Sequence, residues 1–413
     1  MFGRRLLVLL VLPGLFLGSC ALFDPPPVYV SIHVGDTLAG VTDEEDTPHL
    51  VYSFNTTTEQ GNNVSYIYYT TGDPTDGWST EMIHDGEGSS VAAEAIAIGP
   101  DGTIHAFYQD LRVTYHAWKP VGGTWSSEVF NDDEAGPAGD VAIDSEGGLH
   151  VSHSAYATNT LLLDNLRPFY SYKAPDGAWQ KSSIPIPSNW ADINYARRSS
   201  IAVDADGTAH IVFGQEGNII PLVVARVFYA SVTDGTVAQA VELTKSTTGM
   251  ADNDICITPD GRIHVAFLGY HNAGVLRYFA SDDGGATWLS DDSRGDIVDS
   301  TMHSGYFPRM GVDSASCIQI AYLVGESRTS TVKLACRASD LTWSFEEPDP
   351  AIQSEAEIAH MIASDDTTYI AYSKDSGTGT YAGANTQLRL ATQAPDGTWS
   401  SSLVMDAALP RTE

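Results

Sequence analysis

The chain has little cysteine, few basic residues and no long apolar run, and each shortage excludes something. Four cysteines occur in 413 residues. Cys20, Cys256, Cys317 and Cys336 are not spaced as metal ligands, so neither a metal site nor a cofactor is expected. Lys and Arg number 21 against 53 Asp and Glu, for a net charge of -32. A surface of that sign repels nucleic acid and anionic lipid headgroups, so neither is expected as a partner. The apolar stretch from Leu6 to Leu17 is too short to cross a bilayer and is broken by Pro13-Gly14. No later stretch is long and apolar enough to do so. Helical periodicity is also scarce, which points to an all-β chain.

What is present begins with a leader. "MFGRRLLVLLVLPGLFLGSC" sets Arg4 and Arg5 before the apolar stretch and ends it with Leu17-Gly18-Ser19-Cys20. That tetrapeptide resembles the lipobox of bacterial lipoproteins, which needs a large apolar residue, two small ones and a cysteine. The resemblance implies a signal peptide over 1–19 and a lipidated Cys20 followed by a proline-rich tether to residue 27. The mature chain is then expected outside the cytoplasm, in a bacterial cell envelope. Its only contact with the membrane would be the lipid anchor.

A repeat occupies the rest. "EAIAIGPDGTIHAFY" (94–108), "DVAIDSEGGLHVSH" (140–153), "SIAVDADGTAHIVF" (200–213) and "DICITPDGRIHVAF" (254–267) each read as strand, tight turn, strand. Degenerate copies start at 38, 309 and 359. Asp-Gly marks the turn because glycine accepts the positive φ required there. A third strand, a second turn and a tryptophan opening a fourth strand follow. The tryptophans are Trp78, Trp125, Trp179, Trp288, Trp343 and Trp399, with Val237 in that place in the fourth unit. Seven units of four short strands predict a seven-bladed β-propeller of antiparallel strands over residues 28–410, and a monomer. Residues 28–34 read as an extra strand before the first unit, and its role, such as adding to the last blade, is left open. Cys317 and Cys336 flank one predicted hairpin, where a cross-strand disulfide is possible.

Ser281-Asp282-Asp283-Gly284-Gly285-Ala286-Thr287-Trp288 resembles the Asp-box (BNR repeat) of sialidase-like propellers, and falls between third and fourth strands as it does in that family. The wider repeat is similar to arrays in bacterial surface propellers along nearly the whole chain. The Asp-box is a folding motif and assigns no catalytic residue. The sialidase Phe/Tyr-Arg-Ile-Pro motif is absent, since "YFPRM" (306–310) holds similar residues in another order. No Tyr–Glu nucleophile pair can be assigned, and Arg198 and Arg309 are two candidates for an arginine triad.

His49, His105, His150, His210 and His264 recur just after the first turn, with Gln319 and Tyr369 in the remaining units. A place on the second strand, away from the axis, suits a structural role in which these residues satisfy backbone groups between blades. The turn aspartates are expected to be structural as well. The opposite end carries the long, dissimilar loops, where sites usually lie. Asp140, Ser200, Asp254 and Arg309 stand at equivalent first-strand positions near the axis, and Arg198 lies two residues before Ser200. The expected site is Asp140, Arg198, Asp254 and Arg309, walled by Trp190, Tyr195, His303 and Tyr306. Arginine there suits a carboxylate or sulfate, and aromatics suit sugar faces. The ligand expected is a glycan or a protein, bound without catalysis. The alternative is a sialidase-like glycoside hydrolase or a polysaccharide lyase.

Overall fold

The computed structural model describes residues 32–406 apart from short stretches, the longest being 157–165, 245–251 and 377–384. Cys20 and its tether lie outside the described residues. The strands form seven antiparallel four-stranded blades, and no described element is an α-helix. Blade 1 spans 32–85, blade 2 spans 91–131, blade 3 spans 135–183, blade 4 spans 195–242 and blade 5 spans 253–299. Blade 6 begins at Ser304 and blade 7 ends at Met405. These two share the 20-residue strand Trp343–Ile362, outermost in blade 6 and innermost in blade 7. First strands of successive blades touch all the way round, blade 7 meeting blade 1, so they line the axis.

The core is divided in the way a ring of sheets requires. Seven apolar clusters fill the seven blade interfaces. Each blade tryptophan packs, half-buried, on the interface between its own blade and the preceding one. Val237 takes that place between blades 3 and 4. The tight turns place Gly102, Gly147, Gly207 and Gly261 at φ of 76 to 85°. The degenerate units use Asp46, Ser316 and Asp366 there instead, and two of these have a second use. Asp46 accepts the Ser364 N–H at 2.6 Å and Asp366 accepts the Ser314 N–H at 2.7 Å, so turns clip blade 7 to blade 1 and blade 6 to blade 7.

The structure bears on two readings that the sequence leaves open. From Ile32 onward the predicted extra strand continues the first strand of blade 1, after a bulge between Val34 and Leu38. It touches the last blade only from there: Ile32 bridges to Asn385, and the Val34 N–H donates to Thr386 Oγ1 at 2.8 Å. Residues 28–31 lie outside the described residues. Cys317 and Cys336 are both free thiols. Cys336 is paired in register with Gln319, so Cys317 stands two residues along the strand direction from the position opposite it.

Candidate functional site

The recurring histidines resolve into side-chain clips. His150 donates from Nε2 to Asp144 Oδ2 at 3.0 Å and meets the Tyr170 hydroxyl at Nδ1, 2.8 Å away. His49 has the same pair in Asp43 (2.9 Å) and Tyr69 (2.5 Å), and His210 has Asp204 (3.1 Å) and Tyr229 (2.7 Å). His264 keeps Tyr278, with Thr258 in place of the aspartate. The partners are side chains of the same blade, which corrects the expectation that these residues bond backbone groups between blades. The step to the next blade is taken by the tyrosine. Tyr69 stacks edge-on against Trp125, Tyr229 against Trp288 and Tyr278 against Trp343. The turn aspartate serves two ends, since Asp204 Oδ1 also accepts the N–H of Asp206 and Thr208.

The stretch resembling an Asp-box folds on itself. Asp283 accepts from Ser281 Oγ at 2.9 Å and from the Thr287 N–H at 2.7 Å, and the Gly284 carbonyl lies 2.9 Å from the Tyr229 hydroxyl of blade 4. The Ser281, Asp283 and Thr287 side chains are thus spent on the turn itself.

The axis differs in kind. Asp140, Arg198, Asp254 and Arg309 line one cavity of about 190 Å³ together with Glu94. A second cavity, on the loop-rich side, shares Glu94, Arg198 and Arg309 and adds His153 and Glu357. β-bulges aim the key side chains. Arg198 is the unpaired residue between Arg197 and Ser199, and Glu94 is the unpaired residue between Ala93 and Ala95. A bulge sets two residues opposite one and turns the extra side chain. Arg198 bonds Glu357, lies 3.6 Å from Asp252, and sits 4.6 Å over the Phe307 ring. Phe307 has φ of 50°, a strained conformation for a bulky residue. Arg309 comes 3.8 Å from the other Glu357 oxygen.

Burial dominates the charges of this channel. It lifts Asp140 to about 7, helped by the charge of Asp254 and opposed by the Ile201 and Val141 N–H groups and by Arg309. Asp254 is raised by burial too, against Arg309 and the Met310 N–H. Asp140 and Asp254 each accept a backbone N–H of the following blade, from Ile201 at 3.2 Å and Met310 at 2.6 Å. They therefore join blades as well as lining the channel. Glu94 is held well above the carboxylate range by burial and by Glu357, with Arg198 pulling the other way. No hydrogen bond or ion pair engages Glu94 among the described residues. His153 is buried on the cavity wall, and burial drops its imidazole to about 3. Its Nε2 meets Ser171 Oγ at 2.9 Å, while Nδ1 makes no well-formed hydrogen bond among the described residues.

Four of the eight expected site residues therefore meet on the axis. His303 and Tyr306 line neither cavity, and Tyr306 packs into the interface between blades 6 and 7. Tyr306 lies on the first strand of blade 6, which starts at Ser304, and His303 stands in the turn just before that strand. Trp190 and the side chain of Tyr195 lie outside the described residues. Glu94, His153, Asp252 and Glu357 are the additions. Glu94 opens a copy of the repeat, and His153 stands three residues after His150 where the fourth and fifth units have Phe213 and Phe267.

No family model and no curated protein matches the sequence. Solved structures match at the level of fold. A family PL25 polysaccharide lyase, an ulvan lyase, aligns with TM-score 0.56 at 12% identity, over 92% of this chain and 96% of its own. A protein of unknown function from Dyadobacter fermentans DSM 18053 aligns at 0.52 and 11%, over 88% and 97%. A Mycobacterium tuberculosis puromycin-hydrolysing peptidase aligns at 0.53 and 10%, over 91% of this chain and 54% of its own. At these identities the likeness is one of fold.

Proposed function

We propose that this protein binds a glycan at the loop-rich mouth of its axial channel, and that a lipid on Cys20 holds it outside the cytoplasm. One observation carries the glycan reading. Glu94, with no hydrogen bond among the described residues and a carboxyl that burial shifts toward its protonated form, faces a polar cavity beside two arginines, where the repeat is broken. A neutral carboxyl both donates and accepts, which suits a sugar hydroxyl. At about 190 Å³ the cavity falls below the ~300–1,000 Å³ of pockets that enclose a whole ligand. It suits the end of a glycan chain. Arg198 and Arg309 are already offset by Glu357 and Asp252, so an anionic sugar has to compete with resident carboxylates.

Binding without hydrolysis fits better because a glycosidase needs two carboxyls free for separate roles. Here Glu357 serves both arginines, and Asp140 and Asp254 serve backbone N–H groups. A lyase is the second reading, favoured by the neutral His153 beside Arg198 and Arg309: an imidazole base with an arginine to offset a uronate carboxylate. A glycan array, with each bound glycan checked for turnover, tests both. The binding reading expects retention without products. Release of unsaturated uronate products supports the lyase, and no retained glycan on any array overturns the reading. The anchor is tested by fractionating cells that express Cys20→Ala. The variant should leave the membrane fraction, and firm retention there contradicts lipidation of Cys20.

A further inference from the structure

The Asp–His–Tyr clip fails in blade 2, and both of its breaks fall on one histidine. The residue six before each histidine supplies the cap for Nε2 in the other units: Asp43, Asp144, Asp204 or Thr258. In blade 2 that residue is Gly99, which has no side chain to offer. Asp101 does not replace it: its oxygens hold the Thr103 N–H and hydroxyl, each at 2.9 Å, and it acts on His105 through its charge without a hydrogen bond. The tyrosine is also gone. His116 stands in its place, with Nε2 3.0 Å from His105 Nδ1.

The direction of the proton chain follows from its far end. Glu128 Oε1 accepts from Lys173 at 2.6 Å, from Trp179 at 3.0 Å and from His116 Nδ1 at 3.1 Å. Burial would raise the Glu128 carboxyl, but these bonds outweigh it and hold it down to about 2. Desolvation keeps both imidazoles neutral, each lowered to about 4. A carboxylate only accepts, so the His116 proton sits on Nδ1 and its Nε2 is bare. The bare Nε2 accepts from His105 Nδ1–H, which leaves His105 Nε2 as a bare acceptor. That atom has no hydrogen-bond partner among the described residues, and His105 lines a cleft of about 340 Å³ between blades 2 and 3, at the turn end opposite the loop-rich mouth. Pro100, Trp118, Pro120, Leu149 and Pro175 make its walls, with Lys173 beside them. The volume lies within the ~300–1,000 Å³ of small-molecule sites.

We propose that this cleft is a second binding site, for a neutral hydroxyl-bearing ring of monosaccharide size. His105 Nε2 accepts one hydroxyl, and the proline and tryptophan faces pack on the C–H face of the ring. The site is independent of the axial reading and lies elsewhere on the ring. Long-range ¹H–¹⁵N spectra of the histidines test it, with the methyl glycosides of glucose, galactose, mannose, fucose and N-acetylglucosamine titrated in turn. The free protein should show His105 and His116 both protonated at Nδ1, and at least one glycoside should shift His105 Nε2. His116→Tyr restores the hydroxyl found in the other blades, turns the His105 proton to Nε2, and should weaken binding roughly tenfold, the worth of one hydrogen bond. Gly99→Asp, which restores the cap, should do the same if the first variant folds poorly. A proton on Nε2 of His105 in the parent, no shift with any of the five glycosides at millimolar concentration, or unchanged affinity in a folded variant overturns the proposal.

Discussion

At the scale of single residues, one imidazole has opposite uses depending on its neighbours. Where a turn aspartate and a third-strand tyrosine flank it, both ring nitrogens are spent and the group is buried, with His210 only 3% exposed. His210→Ala should therefore cost about 1–3 kcal/mol of stability by leaving buried partners unmet, with ligand binding unchanged. The cost should depend on pH. Burial would raise Asp204, but the bonds from His210 and backbone N–H groups outweigh it, so its carboxyl is lowered in the folded state. A depressed carboxyl contributes stability above its unfolded value near 4 and loses it as pH falls through the folded value. Denaturant melts at pH 7 and pH 3 should then show a smaller penalty for the alanine variant in acid. Equal penalties contradict the clip, and a variant of parental stability that loses binding contradicts the structural role.

At the scale of elements, the blade was legible because its signals are local: Asp-Gly turns, alternating apolar strands and a tryptophan at a fixed distance. The equivalence of Asp140, Ser200, Asp254 and Arg309 was legible for the same reason. Glu94 was not, because alternation along "VAAEAIAI" marks it as one more outward polar residue, and a bulge is a property of two paired strands. That Tyr306 sits on a strand was hidden for the same kind of reason: where a strand begins depends on its partner. Contacts between blades are equally silent in sequence. Gly285 shows this, since at φ of 88° a Cβ would meet the Tyr229 ring of the preceding blade at 2.3 Å. Gly285→Ala should lower stability by about 1–3 kcal/mol through backbone strain and overpacking. A melt within experimental error of the parent would show that this turn does not dock on Tyr229.

At the scale of the whole molecule, seven near-equivalent wedges close a ring whose repetition supplies stability, and function is expected where repetition fails. It fails at the loop-rich mouth of the axis and again at the cleft between blades 2 and 3. The charge of -32 surrounds the ring, yet the axis holds acids whose carboxyls burial shifts upward. Glu94→Met separates a binding group from a structural one, because a carboxyl that makes no hydrogen bond among the described residues gives the fold little that an apolar chain of similar length cannot. Titration calorimetry of parent and variant with a glycan retained on the array, paired with a melt of each, is the most direct measurement. The affinity of Glu94→Met should fall roughly tenfold or more while its Tm holds or rises. Unchanged affinity, or a fall in Tm that accounts for the lost binding, would contradict glycan recognition at the mouth of the channel.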